Sequence, residues 1–251
     1  MRKIYFSISF SLLLVVSVYA QDRNRYLLDI YEYNEQLDEL VDRVRDSLGG
    51  RERNLELSSY QSNGEITFQT GEKALFDLFY MKNDWVRIDQ KTENEYTLFG
   101  RHGKRGWQKI HSKMEESKEK ALKGRELSEL EQFSFYENNL FDYEKKRLDI
   151  YFEGEVKVGE LEAYIIRLSG FKYGEEMYYI SKETFRPFMK QVYILDDNYQ
   201  SVINYTIDDY IKIDGVLLPR KIGIKMNGNT KVMEFFKYSL AAKFDKKLFL
   251  N

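Results

Sequence analysis

Two hydrophobic periods divide the chain. Between Asn34 and Leu48, the residues Leu37, Leu40, Val41, Val44 and Leu48 recur at helical spacing, with acids and arginines between them. That pattern predicts an amphipathic helix with a single apolar face. Gly49-Gly50 ends it, because glycine accepts the left-handed conformation that a helix C-terminus favours. From Leu55 the period falls to two. Strands are expected at 65–69, after a turn at Asn63-Gly64, and at 74–81, 85–89, 96–99 and 106–110, the last two joined by a Gly-rich, basic turn over 100–106. Residues 112–131 carry mixed charge and no alternation, which predicts a solvated helix or loop. Leu127, Leu130 and Phe133 restore helical spacing, so one or two short helices are expected within 125–145. Alternation then returns at 148–157, 161–169, 175–181, 187–196, 200–210, 216–226 and 230–238, with Asn227-Gly228 as the most specific hairpin signal. The tail from Phe244 to Phe249 reads as a docking segment.

The expected architecture is mainly β with α: about twelve antiparallel strands in one continuous curved sheet, an N-terminal helix, and a helical insert near 112–145. Strands such as Ala74–Met81, Phe188–Leu195 and Val232–Phe236 are apolar on both faces. Such a strand is covered on both sides, or covered on one and ligand-facing on the other. Few helices are available to cover so large a sheet. A sheet that curls on itself, lidded by the apolar faces of 36–48 and 127–141, leaves an interior hollow. The residues expected to line it are Phe76, Leu78, Val86, Ile88, Trp107, Phe152, Ile166, Tyr179, Met189, Tyr193, Tyr205 and Phe235; ordinary sheet core is the competing assignment for each.

Composition narrows the chemistry. Thirty-nine Lys and Arg against 41 Asp and Glu give a net charge of −2, which argues against a nucleic-acid partner. With no Cys and two His, neither a thiolate nucleophile nor a Cys- or His-rich metal centre is available, and no cofactor is expected. No G-x-S-x-G, H-E-x-x-H or P-loop occurs. The carboxylate pair Asp208-Asp209 sits on adjacent strand positions, whose side chains point to opposite faces, so the two cannot flank one scissile bond. The basic set Arg101, His102, Lys104 and Arg105 reads as a solvated loop tip, with contact to anionic lipid headgroups or an acidic partner as the alternative. Residues 1–20, MRKIYFSISFSLLLVVSVYA, have the layout of a secretory signal peptide with cleavage near Ala20. The expected mature chain is therefore a single domain over 21–251, outside the cytoplasm.

Seven segments in order resemble the periplasmic outer-membrane lipoprotein-sorting (LolA-like) family. They are the opening helix end at Leu40–Gly50; Ser62–Ile66; Asn83–Ile88, where the family's usual Pro is replaced; the hairpin His102–Trp107, where His102 departs from an acidic residue; Phe152–Tyr164; Tyr178–Thr184; and Asp209–Pro219, the closest match. Together they cover roughly residues 36–249 of the chain. The resemblance implies a concave, apolar half-barrel lidded by helices. Its hollow would hold the acyl chains of a lipid or lipoprotein, received from an inner-membrane donor and passed to an outer-membrane acceptor by a monomeric, non-enzymatic carrier. The alternative is an envelope interaction or sensor module that uses the same half-barrel without lipid cargo.

Overall fold

The computed structural model describes residues 35–82, 85–103, 105–113, 116–123, 126–127, 130, 139–171, 174–196 and 199–250. The leader and its cleavage site, Lys104, and positions 131–138 of the insert lie outside them. The chain divides into two compact units, Met1–Asp42 and Arg43–Asn251. Of the first, residues 35–42 are described and are helical. The second opens with the last residues of that helix (α1, 35–47) and contains all the strands.

The second unit is built on one sheet of thirteen strands in the order β6-β5-β4-β3-β2-β1-β13-β12-β11-β10-β9-β8-β7. The first block is a meander of β1 (Ser59–Phe68), β2 (Lys73–Met81), β3 (Trp85–Lys91), β4 (Glu95–His102), β5 (Arg105–Ser112) and β6 (Lys118–Leu122). The second is a meander of β7 (Asp149–Val158), β8 (Leu161–Phe171), β9 (Gly174–Ser181), β10 (Pro187–Asp196), β11 (Tyr199–Ile213), β12 (Val216–Met226) and β13 (Asn229–Leu240). All neighbours are antiparallel, and β1 pairs with β13 to fuse the two meanders. The short helices are α2 (Arg51–Glu56) and α3 (Tyr143–Lys146), with 3-10 turns at Asn139–Phe141 and Lys246–Phe249.

Two expectations change. Residues Lys118–Leu122, expected in a helix or loop, form β6, because its backbone completes the edge of β5 through pairs such as Gly106 with Leu122. Its outward charges are those expected of an edge strand. Nor does the chain turn at Asn63-Gly64; β1 runs straight through, with a register shift there against β13. Gly64 is required by close approach. A Cβ at this position would lie 2.0 Å from the Glu234 carbonyl oxygen and 2.8 Å from the Phe76 ring.

The sheet is a curved half-barrel. Registered pairs put Phe76, Leu78, Val86 and Ile88 on one face with Ile66, Met233, Phe235, Ile222, Ile224, Tyr205 and Ile203. These residues are buried and belong to one apolar cluster. Tyr80 on β2 and Tyr178 on β9 line the same small cavity, although their strands are six steps apart, about 29 Å in a flat sheet. The sheet therefore curls so that its apolar face meets itself. Leu127 and Leu130 pack on that face over Gly106, where a Cβ would come within 2.6 Å of Leu127.

The opposite face of β2–β5 is covered by the chain's own C-terminal segment. Phe249 is fully buried, 5.7 Å from the Trp85 ring, and Phe244 meets Phe79 edge-on at 5.8 Å. Trp107 donates through Nε1 to the Phe249 carbonyl at 2.9 Å, and Arg87 donates to the Leu248 carbonyl at 3.0 Å. This explains why β2 is apolar on both sides. Phe249→Ala is expected to lower unfolding free energy by about 3–5 kcal/mol through the lost ring and its cavity, and Gly64→Ala by about 2–4 kcal/mol through forced separation of β1 from β13. Urea unfolding followed by circular dichroism measures both; a midpoint unchanged in either variant would contradict its packing role.

Candidate functional site

The concave face and its helical cap make the candidate site. The cap begins where α1 stops. Gly49 has φ 106°, and a Cβ there would fall 2.2 Å from the Gly215 carbonyl, so only glycine lets the helix end seat on the β11–β12 hairpin. Leu217 N–H then donates to the Leu48 carbonyl at 3.0 Å.

Charged and strongly polar links join the two halves of the cap, and others tie it to the sheet. Buried Arg45 donates from Nε to the Leu140 carbonyl at 2.9 Å and from Nη2 to Glu144 at 3.0 Å; Arg51 reaches the other Glu144 oxygen at 3.2 Å. Burial alone would raise the Glu144 pKa, but its backbone hydrogen bond and the two arginines hold it below the ordinary value. Beneath, Asn139 donates from Nδ2 to Glu176 at 2.8 Å, the Tyr178 hydroxyl donates to the same oxygen at 2.6 Å, and Lys190 meets the other Glu176 oxygen at 2.8 Å. Asn139, Glu176 and Lys190 are all buried. A buried carboxylate is tolerated because it is answered on both oxygens.

Between the cap and the sheet lies a cavity of about 110 Å³. Its walls are Leu48, Asn54, Leu55 and Leu57 from the cap's first half, Phe141, Asp142 and Lys146 from its second, and Tyr60, Tyr80, Lys82, Tyr178, Lys190, Tyr210, Leu218 and Tyr238 among the sheet residues. Tyr238 donates to the Pro219 carbonyl at 2.6 Å and Tyr210 to the Pro187 carbonyl at 2.5 Å; burial raises both phenol pKa values. A second hollow of about 570 Å³ lies among the hairpin tips, with Gln69, Thr70, Gln90, Thr97, Asn229 and Thr230 among its lining residues.

The twelve expected lining residues fall on two faces. Phe76, Leu78, Val86, Ile88, Phe152, Ile166, Tyr205 and Phe235 share the concave face; all are buried except Phe152, which is half-buried. Trp107, Tyr179, Met189 and Tyr193 lie on the convex face. Trp107 is registered with Gly100 and covered by the C-terminal segment. Tyr179 and Tyr193 both donate to the Gln191 side-chain oxygen, at 2.9 and 3.2 Å, and Met189 pairs with Tyr179 across the strands. Strand parity accounts for the split: Lys190 and Val192, not Met189 and Tyr193, face inward. None of the twelve lines the 110 Å³ cavity. Its lysines and tyrosines escape a search for apolar positions; the only signal was Lys190, a charge inside an otherwise apolar strand.

Asp208 and Asp209 pair separately with Lys221 at 3.5 Å and Arg220 at 3.6 Å. No cluster of three or more His, Cys, Asp or Glu side chains suited to a metal ion occurs among the described residues.

No protein-family model and no curated protein matches this sequence. Solved structures share its fold. A DUF1329 family protein from Desulfovibrio piger superposes with a TM-score of 0.54 at 14% identity, covering 83% of this chain and 96% of that one. A LolA superfamily protein from Nitrosomonas europaea gives 0.53 at 12% identity, over 83% and 96%. A putative outer membrane lipoprotein-sorting protein domain from Vibrio parahaemolyticus gives 0.51 at 10% identity, over 80% and 93%.

Glu176→Gln is expected to cost about 3–5 kcal/mol of stability, because it strips a buried ammonium of its counter-charge. Joint replacement of Glu176 by Leu and Lys190 by Met is expected to cost less; a double-mutant cycle in urea reads the coupling. Lys231 faces the concave side between Phe68 and Ile224, and desolvation pushes its pKa down to about 7. The folded state thus disfavours the cation. Its penalty is complete below about pH 7 and fades as pH rises toward the unfolded lysine's value near 10.4. The gain in melting temperature from Lys231→Met should shrink across that window; a constant gain would refute the assignment.

Proposed function

We propose that this protein is a non-enzymatic carrier in the cell envelope that shelters acyl chains of lipids or lipoproteins against the concave face of its sheet. The shared half-barrel fold, the expected secretory leader and the seven-segment resemblance support the compartment. The observation that carries the reading is a broad apolar cluster on the concave face of the curled sheet, closed by a cap whose charged links can exchange with water.

Energetics fit a carrier. Each methylene taken from water contributes about 0.8 kcal/mol, so ten contribute roughly 8 kcal/mol gross. The 110 Å³ cavity is far below the roughly 300–1,000 Å³ of ligand pockets. The described form is therefore a closed one, in which Phe76, Leu78, Ile88, Phe235 and their neighbours satisfy each other. Self-packing hides a patch that would otherwise promote aggregation. A tail gains room when the cap at 139–146 moves away, because the cap is tied on by Arg45, Arg51 and Asn139. The eight concave residues above are the proposed tail contacts, and a monomer suffices. Transfer from an inner-membrane donor to an outer-membrane acceptor is the matching route.

Native mass spectrometry after gentle purification tests this. Copurified lipid is the expected result; a lipid-free mass with a copurified polypeptide would favour an interaction or sensor module. In solution, methyl palmitate should displace an uncharged fluorophore from the protein. No displacement at saturating ester would overturn the carrier reading.

A further inference from the structure

The cavity beneath the cap sets lysines and tyrosines among its leucines. Three lysines line it, Lys82, Lys146 and Lys190, together with five tyrosines. Lys190 is answered by Glu176, a residue outside the lining, at 2.8 Å. Lys146 is held by the Asn139 side-chain oxygen at 2.6 Å and by Asp142 at 3.5 Å. Lys82 donates to the Leu55 carbonyl, and the carboxylate that acts on it is the same Asp142. Asp142 is the single acid of the lining and serves two lysines. The closed form keeps Lys82 partly desolvated, which pulls its pKa below the ordinary lysine value, and burying an ammonium with incomplete charge compensation is unfavourable.

We propose that this cavity is an oxyanion subsite, which takes the carboxylate or phosphate head of an amphiphile with Lys82 as its counter-charge. The inference rests on the carrier reading and specifies its substrate class. Size agrees: about 110 Å³ is the room of three or four waters at ~30 Å³ each, enough for a head and too little for a tail. Placement agrees as well. Tyr80 lines the cavity, and Leu78 and Phe76 continue from it along β2 on the same concave face. Across β1, Tyr60 and Tyr238 border the cavity, and Phe235 stacks on Tyr238 at 5.3 Å. A head seated at Lys82 therefore directs its tail onto the apolar face. A charge-assisted hydrogen bond replaces part of the head's lost hydration, so the carrier would select anionic amphiphiles over neutral ones of equal tail length.

The experiment compares palmitate, methyl palmitate and inorganic phosphate as competitors of an uncharged fluorophore, and by calorimetry, at pH 8 with the full mature chain. The expected result is a preference for palmitate over its ester of roughly tenfold or more, which falls at high salt. Lys82→Gln should collapse that ratio, and Lys82→Arg should retain it. Equal binding of palmitate and ester by the unaltered protein would overturn the subsite and leave the carrier reading standing. A ratio unaffected by Lys82→Gln would also overturn it. Binding of inorganic phosphate without either lipid would support an oxyanion site for a free anion and overturn the carrier reading. Binding of none would overturn both.

Discussion

The pairing of β1 with β13 is the contact on which the rest of the molecule depends. Each block of the chain is a meander that can form locally, since consecutive strands are joined by short turns. Only the β1–β13 ladder, which joins residues more than 160 positions apart at Phe68 and Lys231, makes them one sheet with one apolar face. It forms because Gly64 lets the Glu234 backbone and the Phe76 ring approach a strand that carries no side chain there. Phe76 and Phe235 then meet edge-on at 5.2 Å across the seam. Without this ladder each half would expose its greasy face, and there would be no concavity to cap.

Curvature and capping divide the work. The sheet's inner face is satisfied by curling until Tyr80 and Tyr178 look into one cavity. The outer face of β2–β5 is satisfied by the C-terminal segment, with Phe249 seated against Trp85. The cap, by contrast, adds charged links to its buried Leu140 and Phe141: Arg45 and Arg51 to Glu144 within it, and Asn139 to Glu176 on the sheet. Packed apolar surfaces resist opening because any gap forfeits contacts outright. Charge-assisted links can be traded for water at smaller net cost.

The strands of the second block were legible to within about three residues at their ends, since alternation there is regular and Asn227-Gly228 marks a hairpin. β6 was not legible. Lys118–Leu122 has no alternation, and its strand character comes from the β5 edge beside it. The Asn63-Gly64 pair misled for a related reason: the dipeptide favours a turn, but here its glycine serves close approach within a strand. Among the candidate site residues, Phe76 and Leu78 fall on the concave face of a strand dense in large apolar groups. Tyr179, Met189 and Tyr193 were assigned to the wrong face because β9 and β10 carry apolar side chains on both sides.

By itself, then, the sequence determined an antiparallel β chain with few helices and no cysteine, because period, composition and turn dipeptides are local properties. Tertiary structure alone decided which face of each strand became interior, that the tail would cover the convex side, and that Lys82, Lys146 and Lys190 would converge on one cavity. Those outcomes depend on register and curvature across strands distant in the chain, where a shift of one residue exchanges inside for outside.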